Sequence, residues 1–329
     1  EQGYQLTVID SNINSSSLSL ERIKEILKKK KNNFNPKLTF KKGDIRDEFF
    51  MNLLFLKAKE KGKPIEAVIH LAGLKSVEES IRKPLLYWDN NVIGTMNLLK
   101  IMKKFDCKTI VFSSSATIYG VVSSDPIDEK CNINPNNPYG HTKAAIEFML
   151  KGIFESSKDK WRIANLRYFN PIGAHDSGLI GENPSDVPNN LFPIICNVTQ
   201  GKFGELKIFG NDWPTLDGTC VRDYIHVMDL AEAHTRALDF LISNKAQLID
   251  LNIGTGIGTS VLELLEKFSE VNNCSVPFSY TGRRQGDAPV VIANNNKAIS
   301  VLNWKPKRNL EEMCKNGWEW KKNNPLGYQ

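Results

Sequence analysis

The sequence predicts an α/β protein with a Rossmann-like doubly wound parallel sheet, followed by a smaller α/β domain. Short apolar runs typical of buried parallel strands alternate with longer stretches of helical periodicity. Several of these runs end in small or polar residues, as strands do where an open α/β sheet binds ligands. The chain has 329 residues with 41% hydrophobic content, which is enough for two domains with sizeable cores.

Apolar runs in the first half of the chain are the predicted strands of this sheet. They are rich in branched and aromatic residues and are bounded by polar or glycine-containing turns, as expected for strands covered on both faces. The predicted strands span residues 4–9, 37–40, 66–71, 107–112 and 162–166.

Two longer stretches are predicted helices. Residues 85–105 and 144–154 place apolar side chains at helical spacing. The apolar faces either pack on the sheet or contact a second copy of the chain, and the sequence leaves both readings open.

Glycine- and proline-rich connections become frequent after Pro171. Arginines then lie in loops between short predicted strands, where a planar guanidinium can make paired contacts with a diphosphate. We therefore expect a nucleotide-binding domain over residues 1–171 and a smaller binding domain over residues 172–329. His175 and His226 lack the spacing of a metal site, so no metal is expected.

The composition argues against nucleic-acid and membrane partners. Much of the net charge of +6 comes from the lysine run at residues 28–31, which leads into a predicted solvated insertion at 32–36. No other basic cluster is interleaved with aromatic residues, and no apolar span is long enough to cross a membrane. With no signal peptide and six cysteines scattered without paired spacing, we expect a soluble cytoplasmic protein.

Asp10 ends the first predicted strand. An acidic residue at such a strand end can accept hydrogen bonds from the ribose hydroxyls of adenosine, which favours NAD over NADP. A turn aspartate that only satisfies its own backbone is the alternative. Further along, the small residues of the 71–75 segment allow its backbone to approach a pyrophosphate, and Lys75 adds a positive charge there.

Tyr139 and Lys143 are four residues apart, so a helix starting near Tyr139 places both on one face. A phenol is a poor base at its ordinary pKa of about 10. A nearby ammonium group, and further a cationic nicotinamide ring, would favour the phenolate. The pair could then serve general acid–base chemistry, although such pairs also occur by chance on solvated helices.

Ser115 lies about two dozen residues before Tyr139, at the end of the predicted strand 107–112 and its serine-rich extension. Hydroxyl groups at this end of a parallel strand lie where such sheets bind ligands. Serines that satisfy their own backbone are the simpler alternative.

Several longer motifs occur in an order and spacing that strengthen this interpretation. Together they resemble the UDP-glucose 4-epimerase family of the extended short-chain dehydrogenase/reductase superfamily, over the whole chain. The motifs are AGLKSV at 72–77, FSSSAT at 112–117, YGHTK at 139–143, RYFNP at 167–171, GTCVRDYIHV at 218–227 and RRQGD at 283–287.

The resemblance implies an enzyme that interconverts UDP-glucose and UDP-galactose by transient oxidation at sugar C4 with tightly bound NAD. Tyr139 would take the proton of the 4-hydroxyl, Ser115 would hydrogen-bond the same oxygen, and Lys143 would bind the nicotinamide ribose. The partners implied are a UDP-hexose substrate and a second copy of the chain in a homodimer.

The resemblance also implies the binding residues. The catalytic set is Tyr139, Ser115 and Lys143. The NAD-binding set is Asp10, Ser11, Asn12, Asn14, Ser15, Asp44, Ile45, Leu71, Ala72, Gly73, Leu74, Lys75, Asn90, Tyr139, Lys143 and Phe169. The substrate-binding set is Ser115, Tyr139, Asn170, Asn190, Leu191, Lys207, Ile208, Phe209, Arg222, Arg284, Asp287 and Val291.

The sequence departs from this family at one place. Members begin with a strand and a G-x-x-G-x-x-G turn whose helix holds the pyrophosphate, and no such motif precedes Asp10 here. We expect this strand and turn to be absent between the predicted strands 4–9 and 66–71. A chain that includes them is expected to be a full epimerase, and one that lacks them to bind NAD poorly and to fold badly.

The chain could also have an activity other than 4-epimerisation. A sugar-nucleotide 4,6-dehydratase needs an acid beside its catalytic hydroxyl, and residues 115–117 (Ser-Ala-Thr) contain none. The chain could also be another NAD-dependent enzyme that modifies UDP-sugars, or a catalytically impaired nucleotide-binding protein of the same fold. In the family that the chain resembles, a tyrosine at the position of Val291 is associated with enzymes restricted to UDP-glucose and UDP-galactose. The smaller valine implies room for N-acetylated UDP-sugars.

Overall fold

The structure is a computed structural model that describes residues 2–30, 37–122, 126–184, 188–284 and 286–329. The predicted insertion at residues 32–36 and Gln285 of the RRQGD motif lie outside the described residues. No helix in the part of the chain described is long and apolar enough to span a membrane.

The strands of the first half of the chain, together with one later strand, form two parallel sheets flanked by helices. β1 (Leu6–Asp10) pairs with β2 (Leu38–Lys42), and the larger sheet has the order β3-β4-β5-β9. This arrangement confirms the predicted α/β fold class. The larger sheet contains β3 (Ala67–His70), β4 (Thr109–Ser115), β5 (Arg162–Tyr168) and β9 (Gln247–Ile253).

Strands β1 and β3 are the outer strands of these two sheets. Among the described residues, β1 pairs only with β2 and β3 only with β4 on its sheet path. Leu6 and Ile69 on these strands are partly exposed for that reason. We expected the missing strand at this position, between β1 and β3.

Helices pack on the first sheets from both sides. α2 contacts α5, and α6 contacts β4 and β5, while one hydrophobic core lies between them around Phe112, Ile110 and Leu150. The predicted helix 85–105 is formed by a continuous series that includes a π-helical turn at Trp88–Ile93. The helices of this half are α1 (Leu18–Lys30), α2 (Glu48–Glu60), α3 (Val77–Arg82), α4 (Pro84–Tyr87), α5 (Gly94–Lys104) and α6 (Pro138–Ser156).

Helix α6 begins where its sequence dictates. The Asn137 side chain caps it by accepting a hydrogen bond from the Gly140 backbone N–H at 2.9 Å. Pro138 occupies the first helical position, where its missing N–H costs nothing. Tyr139 therefore lies in the first turn of the helix, as predicted, and Lys143 follows one turn later.

The second half of the chain forms a further core around Phe192, Leu206, Tyr224, Leu264 and Phe268. Its strands are β6 (Asn170–Ile172), β7 (Leu206–Phe209), β8 (Val221–His226), β10 (Gly258–Ser260), β11 (Phe278–Thr281) and β12 (Val290–Val291). Its helices are α7 (Leu191–Thr199), α9 (Val261–Asn272) and α11 (Leu310–Asn323).

The predicted division between residues 171 and 172 stays a prediction. Three later segments pack on the first sheet: α8 (Val227–Ser243) contacts β4 and β5, β9 pairs with β5, and α10 (Asn296–Leu302) contacts α8 and β9. The chain thus returns to the first sheet after it has entered the second core.

Candidate active site

The carboxyl ends of the parallel strands bring the predicted catalytic residues together. Ser115 is the last residue of β4 and lies in register with Tyr168, the last residue of β5. Helix α6 packs against both strands and carries Tyr139 and Lys143 on its inner face. This edge is where open α/β sheets bind ligands.

The Tyr139 hydroxyl lies near the Ser115 side chain. Burial raises the pKa of Tyr139 above its ordinary value, and the nearby Ser115 hydroxyl lowers it only in part. Ser115 is fixed in turn by Thr117, which hydrogen-bonds it through its hydroxyl and donates its backbone N–H at 3.2 Å. The result is a chain of hydroxyl groups that ends at the phenol.

Lys143 is buried and points to the sheet. Its Nζ donates to the backbone oxygen of Ser113 at 2.6 Å and lies 3.3 Å from the Ser113 hydroxyl. The same nitrogen is 5.9 Å from the centroid of the Tyr139 ring. A nearby ammonium group is expected to lower the pKa of Tyr139, whereas in this structure burial raises it.

A tyrosine–histidine pair at the end of β5, in which Tyr168 is half-buried and His234 is buried, was not singled out from the sequence. Tyr168 is hydrogen bonded to Nε2 of His234, whose Nδ1 contacts the Leu230 carbonyl oxygen at 2.8 Å. Burial lowers the pKa of His234, so the ring is neutral at neutral pH. Only the tertiary contact between α8 and β5 brings these residues to the site.

Asp10 lies at the end of β1 with its carboxylate held in place. Its Oδ1 accepts hydrogen bonds from the Asn12 backbone N–H at 2.7 Å and from the Ser15 hydroxyl at 2.8 Å. Ser11 and Asn14 belong to the same turn, and Asn12 has a positive φ of 54°. This turn therefore presents an ordered carboxylate at the carboxyl end of the β1-β2 sheet.

Asp44 follows β2 and is held by a forked arginine. The Arg46 guanidinium contacts both of its carboxylate oxygens, the shortest distance being 2.6 Å to Oδ2, and the pKa of Asp44 is lowered as a result. Ile45 packs under Gly94, where an added Cβ would come within 2.8 Å of the isoleucine side chain. Residues 44 and 45 are thus fixed against α5.

The 71–75 segment follows β3 and is organised by Asn91 from the π-helical turn. Asn91 is buried, accepts from the Leu74 N–H at 2.8 Å and donates to the Leu74 carbonyl at 3.0 Å. Gly73 has a φ of +158°, and a Cβ there would lie 3.2 Å from Asn91 Oδ1. The resemblance implies a role in NAD binding for the neighbouring Asn90. This residue is half-buried, and its role stays a prediction.

Lys75 is exposed and pairs with Glu182 from the second half of the chain at 2.8 Å. Leu71 and Ala72 are also exposed, while Phe169 is buried directly after β5. The segment after β3 is therefore largely exposed, and its lysine is directed to the second half of the chain.

These groups fit a dinucleotide. The ordered Asp10 carboxylate suits ribose hydroxyls, bare backbone at Gly73 allows close approach, and the buried ammonium of Lys143 suits a second ribose. Of the described residues, no group of three or more His, Cys, Asp or Glu side chains is placed to hold a metal ion.

Four predicted substrate residues form a charged and aromatic group on the second half of the chain. Arg284 contacts both oxygens of Asp287, at 2.9 and 3.2 Å, and its guanidinium lies 5.4 Å from the centroid of the Phe209 ring. Arg222 lies 3.7 Å from Asp287 and donates to the Ala288 carbonyl oxygen at 2.8 Å. The structure therefore brings these residues into one cluster.

The remaining predicted substrate residues are more dispersed. Lys207 is exposed and bonded to Glu205 and Ser279, and the side chain of Ile208 is buried in the second core. Asn170 begins β6, and Asn190 and Leu191 begin α7.

Val291 lies on β12, paired in register with Arg222 on β8. Its half-buried side chain packs against a core cluster that contains Phe169, and Ala116, the neighbour of Ser115, packs against the same cluster. This position therefore links the arginine cluster with the catalytic edge.

Known proteins resemble this chain in both sequence and structure. A family model described as GDP-mannose 4,6 dehydratase matches residues 1–317. UDP-glucose 4-epimerase 2 of Arabidopsis thaliana is 47% identical over 328 residues, which are 100% of this chain and 91% of the relative.

Solved structures give the same result. A UDP-glucose 4-epimerase from Stenotrophomonas maltophila with bound NAD and formylated UDP-arabinopyranose has a TM-score of 0.92 and 42% identity, covering 98% of this chain and 92% of that one. A UDP-glucose 4-epimerase from Bifidobacterium longum in complex with NAD+ and UDP has a TM-score of 0.91 and 40% identity, covering 99% and 93%. With such identity along the whole sequence, this chain belongs to the extended short-chain dehydrogenase/reductase family described by that model and, within it, to the UDP-glucose 4-epimerases.

Proposed function

We propose that this protein interconverts UDP-glucose and UDP-galactose with the help of NAD. The observation that carries the proposal is the meeting of Ser115, Tyr139 and Lys143 at the carboxyl edge of a parallel sheet. A relative of 47% identity named UDP-glucose 4-epimerase supports it.

NAD would be held by residues from three strand ends. Asp10 and its turn would bind the adenosine ribose, Asp44 and Ile45 would contact the adenine, and Gly73 and Lys75 would border the pyrophosphate. When bound, the cofactor supplies a hydride acceptor for sugar C4 and later returns the hydride. Its positive charge also favours the phenolate of Tyr139, whose pKa is raised by burial.

The residues of the chain supply proton transfer. Tyr139 takes the proton of the sugar 4-hydroxyl and gives it back after the hexose has turned, which is general base and then general acid catalysis. Ser115, fixed by Thr117, hydrogen-bonds the same oxygen. Lys143 is close enough to Tyr139 to stabilise its anionic form, with 5.9 Å between Nζ and the ring centroid.

The nucleotide end of the substrate would be held by the arginine cluster. Arg222 and Arg284 offer planar guanidinium groups to the diphosphate, and Asp287 and Phe209 complete the cluster. Binding energy placed on UDP leaves the hexose free to turn over between the two half-reactions. Asn170, Asn190, Leu191, Lys207 and Ile208 remain proposed contacts of the same nucleotide.

The hydroxyl chain at Ser115 favours epimerisation over dehydration. A 4,6-dehydratase must protonate the departing 6-hydroxyl, which requires an acid near the catalytic serine or threonine. Residues 115–117 carry two hydroxyl groups and two methyl groups, with no carboxyl group. A catalytically impaired nucleotide-binding protein is a second candidate, and turnover of a UDP-sugar separates it from the enzyme.

We further propose a homodimer formed by α4 and α6. These helices contact each other, and they expose Leu85 (81%) and Phe148 (59%) to solvent. Large exposed apolar side chains on neighbouring helices suit a contact between two copies of the chain. The free thiols of Cys107, Cys196 and Cys220 suit the reducing conditions of the cytoplasm, which we propose as its location.

The test is turnover of UDP-galactose by the purified protein supplied with NAD, with UDP-glucose measured by a coupled UDP-glucose dehydrogenase. Tyr139→Phe should keep the fold and lose about 10²- to 10⁴-fold in kcat, since one proton-transferring hydroxyl is removed. Glu155→Gln, a change at an exposed residue of the same helix, is the matched control. A parent protein that folds and binds NAD but does not form UDP-glucose would refute the proposed function.

A further inference from the structure

A fully buried polar cluster lies directly behind the catalytic edge and plays no part in the roles described above. We name it the Glu147 cluster, and it consists of Ser114, Glu147 and Arg167. Glu147 accepts from the Ser114 hydroxyl at 2.5 Å and from Arg167 through both carboxylate oxygens, at 3.0 and 2.6 Å. Glu147 is 4% exposed and Arg167 is 2% exposed.

The three residues sit next to the catalytic groups on three different elements. Ser114 precedes Ser115 on β4, Arg167 precedes Tyr168 on β5, and Glu147 lies one helical turn after Lys143 on α6. One carboxylate thus ties the catalytic helix to both strands at the level of the reacting groups.

Arg167 extends the cluster to the far side of β5. Its Nη1 donates to the Tyr119 hydroxyl at 2.9 Å and to the Glu129 carbonyl oxygen at 3.2 Å, and Nη2 lies 3.1 Å from Asp250. Every member is therefore hydrogen bonded, as a buried polar network requires.

Stability alone does not explain a buried ion pair at this place. Apolar residues of similar volume are often as stabilising as a buried pair, because desolvation offsets the attraction between the charges. Such pairs can instead specify one arrangement of the elements they join. Here the elements joined are those that carry Ser115, Tyr139 and Lys143.

We propose that Glu147 is a positioning residue of the epimerase reaction: its carboxylate, one helical turn from Lys143, holds that lysine beside Tyr139, and it fixes Ser115 through Ser114. The inference rests on the proposed function, because it assigns a role within that reaction.

The charges around Lys143 agree with this role. Glu147 on its own helix is the carboxylate that acts on it, while two neutral groups face it from the sheet: His70 on β3 and Ser113 on β4. The pKa of Lys143 is lowered to about 8, because burial lowers it by more than the Glu147 carboxylate raises it. Without that carboxylate, Lys143 would lose its proton at a lower pH.

The first test measures Lys143 itself and needs no turnover. The titration midpoint of Lys143 is followed by NMR of lysine labelled with ¹³C at Cε, assigned by the signal that Lys143→Met removes. In Glu147→Gln the midpoint should fall by about 1 pH unit, since a charged neighbour is lost. Asp229→Asn is the matched control, because Asp229 is also fully buried and paired with an arginine, Arg308.

The second test measures turnover of UDP-galactose by the NAD-supplied enzyme between pH 6 and 9. Glu147→Gln should lose at least tenfold in kcat, with KM within about twofold, because UDP is held by the distant arginine cluster. Its kcat relative to the parent should fall further as pH rises through the lowered midpoint of Lys143. Asp229→Asn should keep the parent's midpoint and pH profile even if it lowers the unfolding temperature.

An unchanged Lys143 midpoint in folded Glu147→Gln overturns the proposal, as does a kcat loss no greater than that of Asp229→Asn. Should Glu147→Gln fail to fold, Ser114→Ala keeps the carboxylate and removes one bond to it. We then expect about a tenfold loss of kcat at constant KM, and full activity of Ser114→Ala overturns the proposal. An inactive parent refutes the proposed function instead, and the NMR midpoint still decides whether Glu147 acts on Lys143.

Discussion

Asp223 belongs to one of the motifs that carry the family resemblance, yet no role followed for it from the sequence. In the structure it is fully buried and organises two loops beside the arginine cluster. Its Oδ1 accepts from the Thr255 N–H at 2.8 Å and the Thr255 hydroxyl at 2.7 Å. Its Oδ2 accepts from Gly256 N–H at 2.8 Å and Ala293 N–H at 3.2 Å.

We predict that Asp223→Ala lowers the free energy of unfolding by about 2–4 kcal/mol. A buried donor that loses its acceptor costs about 1–3 kcal/mol, and Ala293 is the donor that water cannot reach. Thr255 and Gly256 lie nearer the surface, so water recovers part of their loss. Asp223→Asn keeps one acceptor oxygen and should lose less, about 1–2 kcal/mol.

Urea unfolding at pH 7, followed by tryptophan fluorescence, measures these differences. Asp159→Asn, a change at an exposed aspartate, is the control and should stay within about 0.5 kcal/mol of the parent. Because Asp223 follows Arg222 and holds Ala293 near Val291, KM for UDP-galactose should also rise in Asp223→Ala. A free energy of unfolding for Asp223→Ala equal to that of the control would refute this reasoning.

Three further predictions concern separate parts of the chain. Gly120→Ala should destabilise the protein by about 2–4 kcal/mol, because φ is +64° and a Cβ would lie 2.1 Å from a backbone oxygen; Gly152→Ala, which meets nothing within 4 Å, is the control in thermal unfolding. Val291→Tyr should abolish turnover of UDP-GalNAc while sparing UDP-galactose, since a tyrosine ring would fill room that the smaller valine leaves, at a position that packs, like Ala116, on the core cluster around Phe169; a parent inert to UDP-GalNAc contradicts this. Leu85→Glu combined with Phe148→Glu should shift the protein to monomer in sedimentation analysis, and an unchanged mass would exclude α4 and α6 as the dimer contact.

The fold class and the relation between Tyr139 and Lys143 could be predicted from sequence because both depend on local geometry. Apolar runs and helical periodicity are properties of neighbouring residues, and a spacing of four places two side chains on one helix face wherever the helix packs. The cap at Asn137 and Pro138 likewise acts within one turn. The family followed from whole motifs, whose order along the chain needs no coordinates.

The extent of β4 shows where local reasoning stopped. The sequence predicts a strand over residues 107–112 with Ser113–Ser115 following it, whereas the strand runs from Thr109 to Ser115. Polar residues lower the tendency to form a strand, but β5 pairs with β4 as far as Ser115 and Tyr168. The partner strand therefore decides where β4 ends, and it places the catalytic serine at the sheet edge.

The tertiary structure alone decided how the site is held and charged. Lys143 turns to the Ser113 carbonyl because a buried ammonium must be hydrogen bonded, and that oxygen lies thirty positions earlier. Arg167 meets Glu147 and Asp250 only because β5 is flanked by α6 and β9. Such contacts join residues far apart in the chain, so no local pattern encodes them. They depend on which polar groups are buried in the packed core. Burial then raises the pKa of Tyr139 and lowers that of Lys143.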